Sequence, residues 1–123
     1  MNKEYTFKLV NNYPKIFSED FHFECDDGWY DIINRLCKDI QKEISLSGCK
    51  QVAATQVKEK YGILCFYHIG GNDKIQELIL AASKKSAETC EISGNKGSLY
   101  NKHGWYKTLS VKIAKSFGYE KIN

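Results

Sequence analysis

The sequence predicts a small α+β domain, and three patterns predict it. An apolar stripe at three-and-four spacing runs from Trp29 to Ile44, two β-prone runs follow it, and a second helical stripe opens at Ile75. With 123 residues, 42% hydrophobic and 27% charged, the chain suffices for one core that removes roughly two-thirds of the unfolded surface from water. It contains no repeat, low-complexity tract or Pro/Gly-rich linker, so residues 1–123 read as a single domain.

Residues 1–12 are a polar lead-in, where Tyr5 to Val10 permit either a short helix or a short strand. Tyr13-Pro14-Lys15-Ile16-Phe17 is irregular, because proline disfavours helix just before it. Phe21 and Phe23 alternate with polar neighbours and predict a brief extended piece. Asp26-Asp27-Gly28-Trp29 then opens a long N-terminal helix over about residues 28–47, with Trp29, Ile32, Ile33, Leu36, Cys37, Ile40 and Ile44 on one stripe. Asp26 or Asp27 is expected to cap its first amides, and Gly48 to end it.

Val52 to Val57 and Ile63 to Ile69 predict an antiparallel β-hairpin, with Gly62 closing a turn that carries a bulge. Strict alternation places Ala53, Thr55 and Val57 on one face and Gln56, Lys58 and Lys60 on the other. Gly70-Gly71-Asn72-Asp73 marks a turn and cap before a second helix with Ile75, Leu78, Ile79 and Ala82. It runs to about Ser86 or Thr89 and completes a helix–hairpin–helix core over residues 13–89. A glycine-rich polar stretch spans Ser93 to Gly104, after which Trp105 is expected to lead a third helix through Leu109, Ile113 and Phe117 to Gly118.

The five cysteines include no C-x-x-C pair, and the N-terminal residues have no apolar signal region. Both features point to reduced thiols and a cytoplasmic location. No apolar run is long enough to span a bilayer, so no membrane partner is expected. The net charge of +3 is uneven: residues 1–72 carry −1 and residues 73–123 carry +4. Arg35 is the sole arginine among 18 basic residues, and arginine forks are the usual readers of guanine in duplex DNA. A lysine-rich face still suits a phosphate-bearing partner, although solvated lysines are common on surfaces.

From Tyr13 to about Gly118 the chain resembles a family of small bacteriophage and prophage proteins. The resemblance is carried by Tyr-Pro-Lys-Ile-Phe (13–17), Phe-Glu-Cys-Asp-Asp-Gly-Trp-Tyr (23–30) and Ala-Thr-Gln-Val-Lys-Glu-Lys-Tyr-Gly (54–62). Phe66-Tyr67, Ser86 to Glu91, Gly94, Gly97 and Gly104 to Leu109 extend it. It implies a C-terminal treble-clef-like zinc module, with a C-x-x-C knuckle and a C-x-x-H at the start of a helix, four ligands in a closed tetrahedral site. Here only Cys90 matches; Ser93, Ser110 and Ile113 stand at the other three positions. Residues 90–123 are therefore expected to be a degenerate module without metal, held by burial of Leu99, Trp105, Leu109, Ile113 and Phe117.

No nucleophile–base motif, Walker loop or dinucleotide fingerprint is present, and no cofactor is expected. His22 near Cys25 and His103 near serines match no catalytic pattern, and capping explains Asp26 and Asp27 more simply than chemistry does. The suggestive feature is eight Tyr, two Trp and six Phe mixed with abundant lysine, since aromatic faces stack bases and ammonium groups meet phosphates. Gln56, Lys58, Lys60, Tyr61, Tyr67, Trp105, Tyr106 and Lys107 are the expected ligand-binding set, against the plainer reading of a Tyr-rich core and rim. Three functions follow. The first is a non-enzymatic phage-type accessory protein that binds a small anionic nucleotide-like ligand, such as a host defence signal. The second is a nucleic-acid or protein-binding adaptor derived from the zinc module. The third is an enzyme with a metal held by Glu24, Asp26 and Asp27. Homo-oligomer formation is compatible with each.

Overall fold

The apolar stripe that begins at Trp29 builds the longest helix, and the main core is arranged around it. A computed structural model describes residues 1–122. In chain order the elements are α1 (Lys3–Asn12), β1 (Phe23–Glu24), a 3-10 turn (Asp27–Trp29), α2 (Tyr30–Ser47), β2 (Ala53–Lys60) and β3 (Ile63–Ile69). Then come α3 (Asp73–Ser86), β4 (Ser98–Lys102), β5 (Trp105–Leu109), α4 (Val111–Phe117) and β6 (Glu120–Lys121). Among the described residues these four helices and two three-stranded sheets make one small α+β domain, the class the sequence predicts.

The polar lead-in is a helix. Asn2 Oδ1 accepts the Tyr5 amide at 2.8 Å, Leu9 is buried, and the Tyr5 ring stacks on Tyr30 with centroids 4.1 Å apart. In α2 the stripe buries Ile33, Leu36, Cys37 and Ile40, and Gly48 ends it in the left-handed conformation. The expected aspartate caps do not form. Asp26 precedes the 3-10 turn without a side-chain capping bond, and the Asp27 carboxylate instead accepts the Asn2 amide at 2.6 Å and its side-chain nitrogen at 3.0 Å. These bonds tie α1 to the mouth of α2.

The first sheet has the order β1-β2-β3, with β1 parallel and β3 antiparallel to β2. Its bulge lies within β2 between Ala54 and Gln56, rather than at the turn. The extra residue breaks the alternation, so Thr55 is exposed whereas Val57 is buried. Val57, Leu64 and Phe66 face the core with Ile33, Leu36 and Ile75; Ile63, Tyr67 and Ile69 lie on the outer side of β3. Helices α2 and α3 pack on each other, and α3 on β3. Asn72 caps α3 through the Ile75 amide at 3.0 Å.

The C-terminal segment departs most from expectation. Part of the polar stretch is β4, and Trp105 to Leu109 is its partner strand β5 rather than the start of a helix. Aromatic residues and threonine fit a pleated half-exposed surface. The helix begins only after Ser110, whose Oγ accepts the Ile113 amide at 3.3 Å, and ends at Gly118. The second core is small: Cys90, Tyr100, Leu109 and Ala114, joined by Ile92, Ile113 and Tyr119. Trp105 and Phe117 contribute little, being 74% and 44% exposed.

Polar contacts join the two cores. Trp29 Nε1 donates to the Thr89 carbonyl at 2.9 Å, and the Gly28 amide donates to the Glu91 carbonyl at 2.7 Å. A Cβ on Gly28 would lie 2.2 Å from the Cys90 carbonyl oxygen, so only glycine permits this approach.

Candidate functional site

Two hairpin tips meet at one end of the molecule. Tyr61-Gly62 joins the paired Lys60 and Ile63, and His103-Gly104 joins the paired Lys102 and Trp105. All four turn residues have positive φ (52° and 81°, then 52° and 86°), the signature of type I′ turns. The first tip is fastened to the body of β5 by Thr108 Oγ1 donating to the Gly62 carbonyl at 2.7 Å, while within the first hairpin the Gly62 amide donates to Glu59 Oε2 at 2.7 Å.

Three exposed aromatic residues line the cleft at this junction, two of them with their rings in contact. The Tyr61 and Tyr106 rings stand at 67° with centroids 6.3 Å apart, and Trp105 shares their cleft. Tyr61 is 68% exposed, Trp105 74% and Tyr106 38%. With Glu59, His103 and Gly104 they line an open cavity of about 420 Å³.

The eight residues expected to form one pocket are therefore divided. Tyr61, Trp105 and Tyr106 line the cleft. Gln56, Lys58 and Tyr67 belong to the outer face of the first sheet, where Gln56 sits opposite Tyr67 and donates to Glu24 Oε2 at 2.9 Å. Lys60 follows Glu59 in the same strand, so strand alternation turns it to that outer face, away from Glu59. Lys107 is committed elsewhere: its Nζ lies 3.0 Å from Glu91 Oε1, on a carboxylate only 1% exposed. Sequence reasoning missed Glu59 and His103. The available signal was the repeated pairing of one residue with glycine, Tyr61-Gly62 and His103-Gly104, between β-prone runs.

Behind the cleft lies a buried polar cluster. Glu91 Oε2 also accepts the Asp26 amide at 3.1 Å. Burial raises the Glu91 carboxyl, and Lys107 offsets that only in part. Burial works to lower Lys107, but the Glu91 charge and hydrogen bond outweigh it and hold the ammonium above its ordinary value. Burial, reinforced by Glu91, pushes the Cys25 thiol up to about 12, which removes it as a nucleophile near neutral pH.

Cys90 has the opposite setting. Burial acts to raise its thiol, yet the polar groups of Ser93, whose amide donates to the sulfur at 3.3 Å, and the nearby Ser110 and Ile92 amides outweigh burial and lower it overall. Glu24, Asp26 and Asp27 do not converge: Glu24 binds Gln56, Asp27 binds Asn2, and the Asp26 carboxylate caps nothing. Among the described residues, no group of three or more His, Cys, Asp or Glu is placed to hold a metal ion. No helix among them is long and apolar enough to cross a membrane. Compared with protein-family models, with curated proteins and with solved structures, the chain matches none.

Proposed function

We propose that this protein is a non-enzymatic binding adaptor whose ligand engages the cleft between the two hairpin tips. One observation carries the reading: Tyr61, Trp105 and Tyr106 are gathered at one concave spot yet left in solvent. Aromatic side chains contribute most when buried, and such exposed clusters mark binding anchors. The resemblance of residues 13–118 to phage proteins supports an accessory role. The knuckle at Cys90, the following hairpin and a helix opened by Ser110 support descent of the C-terminal segment from a zinc module.

The small anionic nucleotide-like ligand is the second reading. Stackable rings favour it, but the lysines that should meet its phosphate are on the opposite sheet face or bound to Glu91. Glu59, the only carboxylate of the cleft wall among the described residues, disfavours an anion.

The Trp105 indole N–H is a direct reporter. Peptide mixtures and a panel of cyclic and linear nucleotides, each titrated under NMR observation, should include a ligand that shifts it. Trp105→Ala should remove that binding at least tenfold, without loss of the circular dichroism spectrum. A panel in which nucleotides alone shift the signal would favour the second reading, and complete silence at Trp105 would refute the site.

A further inference from the structure

We infer that the cleft accepts the guanidinium group of an arginine on a partner protein; this rests on the adaptor reading above and names its ligand. The chemistry of the walls carries the inference. Two tyrosine rings at 67°, with centroids 6.3 Å apart, form two sides of a corner, and Trp105 is among the residues that line the same cleft. A cation seated there meets an exposed tyrosine face within the roughly 6 Å reach of cation–π attraction. Trp and Tyr are the strongest partners for this interaction, and arginine adds planar stacking to its charge.

Glu59 supplies the matching charge. Its Oε2 accepts the Gly62 amide at 2.7 Å, which fixes the side chain in the wall. Among the described residues Oε1 takes no protein donor, leaving an acceptor for a guanidinium N–H. A fork-shaped donor that is flat enough to stack suits this arrangement better than a compact ammonium. The nearby cations do not fill the role. Lys102 Nζ donates to the Phe117 carbonyl at 2.7 Å, Lys60 lies on the other sheet face, and Lys107, though Glu59 is close enough to help raise it, gives its hydrogen bond to Glu91. The chain's one arginine, Arg35, is paired with Asp39 on α2, so the occupant comes from another protein.

The test compares N-acetyl-arginine amide with its neutral isostere N-acetyl-citrulline amide, following the Trp105 indole resonance of the whole protein. The arginine probe should bind at least tenfold more tightly than citrulline, and several-fold more tightly than N-acetyl-lysine amide. Glu59→Gln, which keeps an oxygen for the Gly62 amide, should reduce arginine binding at least fivefold and leave citrulline unchanged. Equal binding of arginine and citrulline would overturn the inference while leaving the cleft as a site for flat neutral groups. Nucleotide binding without arginine binding would overturn it in favour of the second reading. Silence of the three amino-acid probes at Trp105 would overturn the inference alone, and the adaptor reading would fall only if the peptide mixtures were silent as well. The arginine–citrulline comparison needs no variant, so misfolding of Glu59→Gln would not protect the claim.

Discussion

At the scale of single residues, two positions hold conformations that the sequence allows at very different expense. Tyr61 sits at φ 52°, a left-handed conformation that suits Asn or Gly and strains a bulky side chain, and its ring gains little burial at 68% exposure. Nothing in folding requires tyrosine there. Tyr61→Asn should therefore stabilise the protein by about 0.5–1 kcal/mol in denaturant titration while weakening ligand-induced shifts at Trp105. A loss of stability in that variant would show that the ring serves the fold. Gly28 is the reverse case, with the Cys90 carbonyl oxygen 2.2 Å from where its Cβ would lie. Because the obstacle is backbone, Gly28→Ala should destabilise by about 3 kcal/mol or more, read by thermal unfolding.

At the scale of elements, legibility followed burial. The helix α2 was readable because its apolar stripe faces one continuous core, and β2 and β3 because β-prone residues flank a glycine turn. The strands β4 and β5 were not, since only Tyr100, Thr108 and Leu109 in them are buried and no apolar alternation results. Trp105, Leu109, Ile113 and Phe117 fall at four-residue spacing, which imitates one helix across a strand, a cap and a helix. Of the candidate site, the aromatics were legible and their separation from the lysines was not. That separation depends on two hairpins meeting, a contact between residues far apart in sequence. The knuckle itself offers a test at this scale. The Ser93 amide donates to Cys90 Sγ at 3.3 Å, the Ser110 amide is close enough to lower the thiol, and Ile113 packs in the same small core, so the four positions lie near one another. The combined Ser93→Cys, Ser110→Cys and Ile113→His variant should bind one cobalt or zinc ion with tetrahedral thiolate spectra. Free zinc at a thousandfold over Kd should then add about 4 kcal/mol of stability. Failure to bind one ion per chain would count against descent from a zinc module.

At the scale of the whole molecule, the C-terminal segment is fastened to the main core by polar contacts centred on Glu91, beside a second core of only a few side chains. The Glu91–Lys107 pair is thus a joint between two parts of the domain. Removing one partner of a buried pair costs about 3–5 kcal/mol because the other charge is left uncompensated, whereas removing both can be nearly neutral. Lys107→Met should accordingly destabilise by about 3 kcal/mol at neutral pH. The direction with pH follows from the shifts. Glu91 is raised by burial, so its contribution favours the fold below its ordinary value of 4.5 and is lost as pH rises through its higher folded value. Lys107 is raised through Glu91, despite burial, so its contribution is present below 10.5 and is lost above its folded value. In Lys107→Met the carboxylate loses the cation that lowers it, and its pKa rises further. The gap in unfolding free energy between this variant and the native protein should therefore narrow on the acid side, as Glu91 takes up its proton in both. Pairing it with Glu91→Gln, which still offers an oxygen to the Asp26 amide, should recover most of the loss at neutral pH and flatten the acid-side difference. Denaturant titrations of the native protein, Lys107→Met and the double variant from pH 4 to 8 decide the matter. A deficit in Lys107→Met that stays constant with pH would mean that the lysine acts through packing of its stem, and that the joint is not electrostatic.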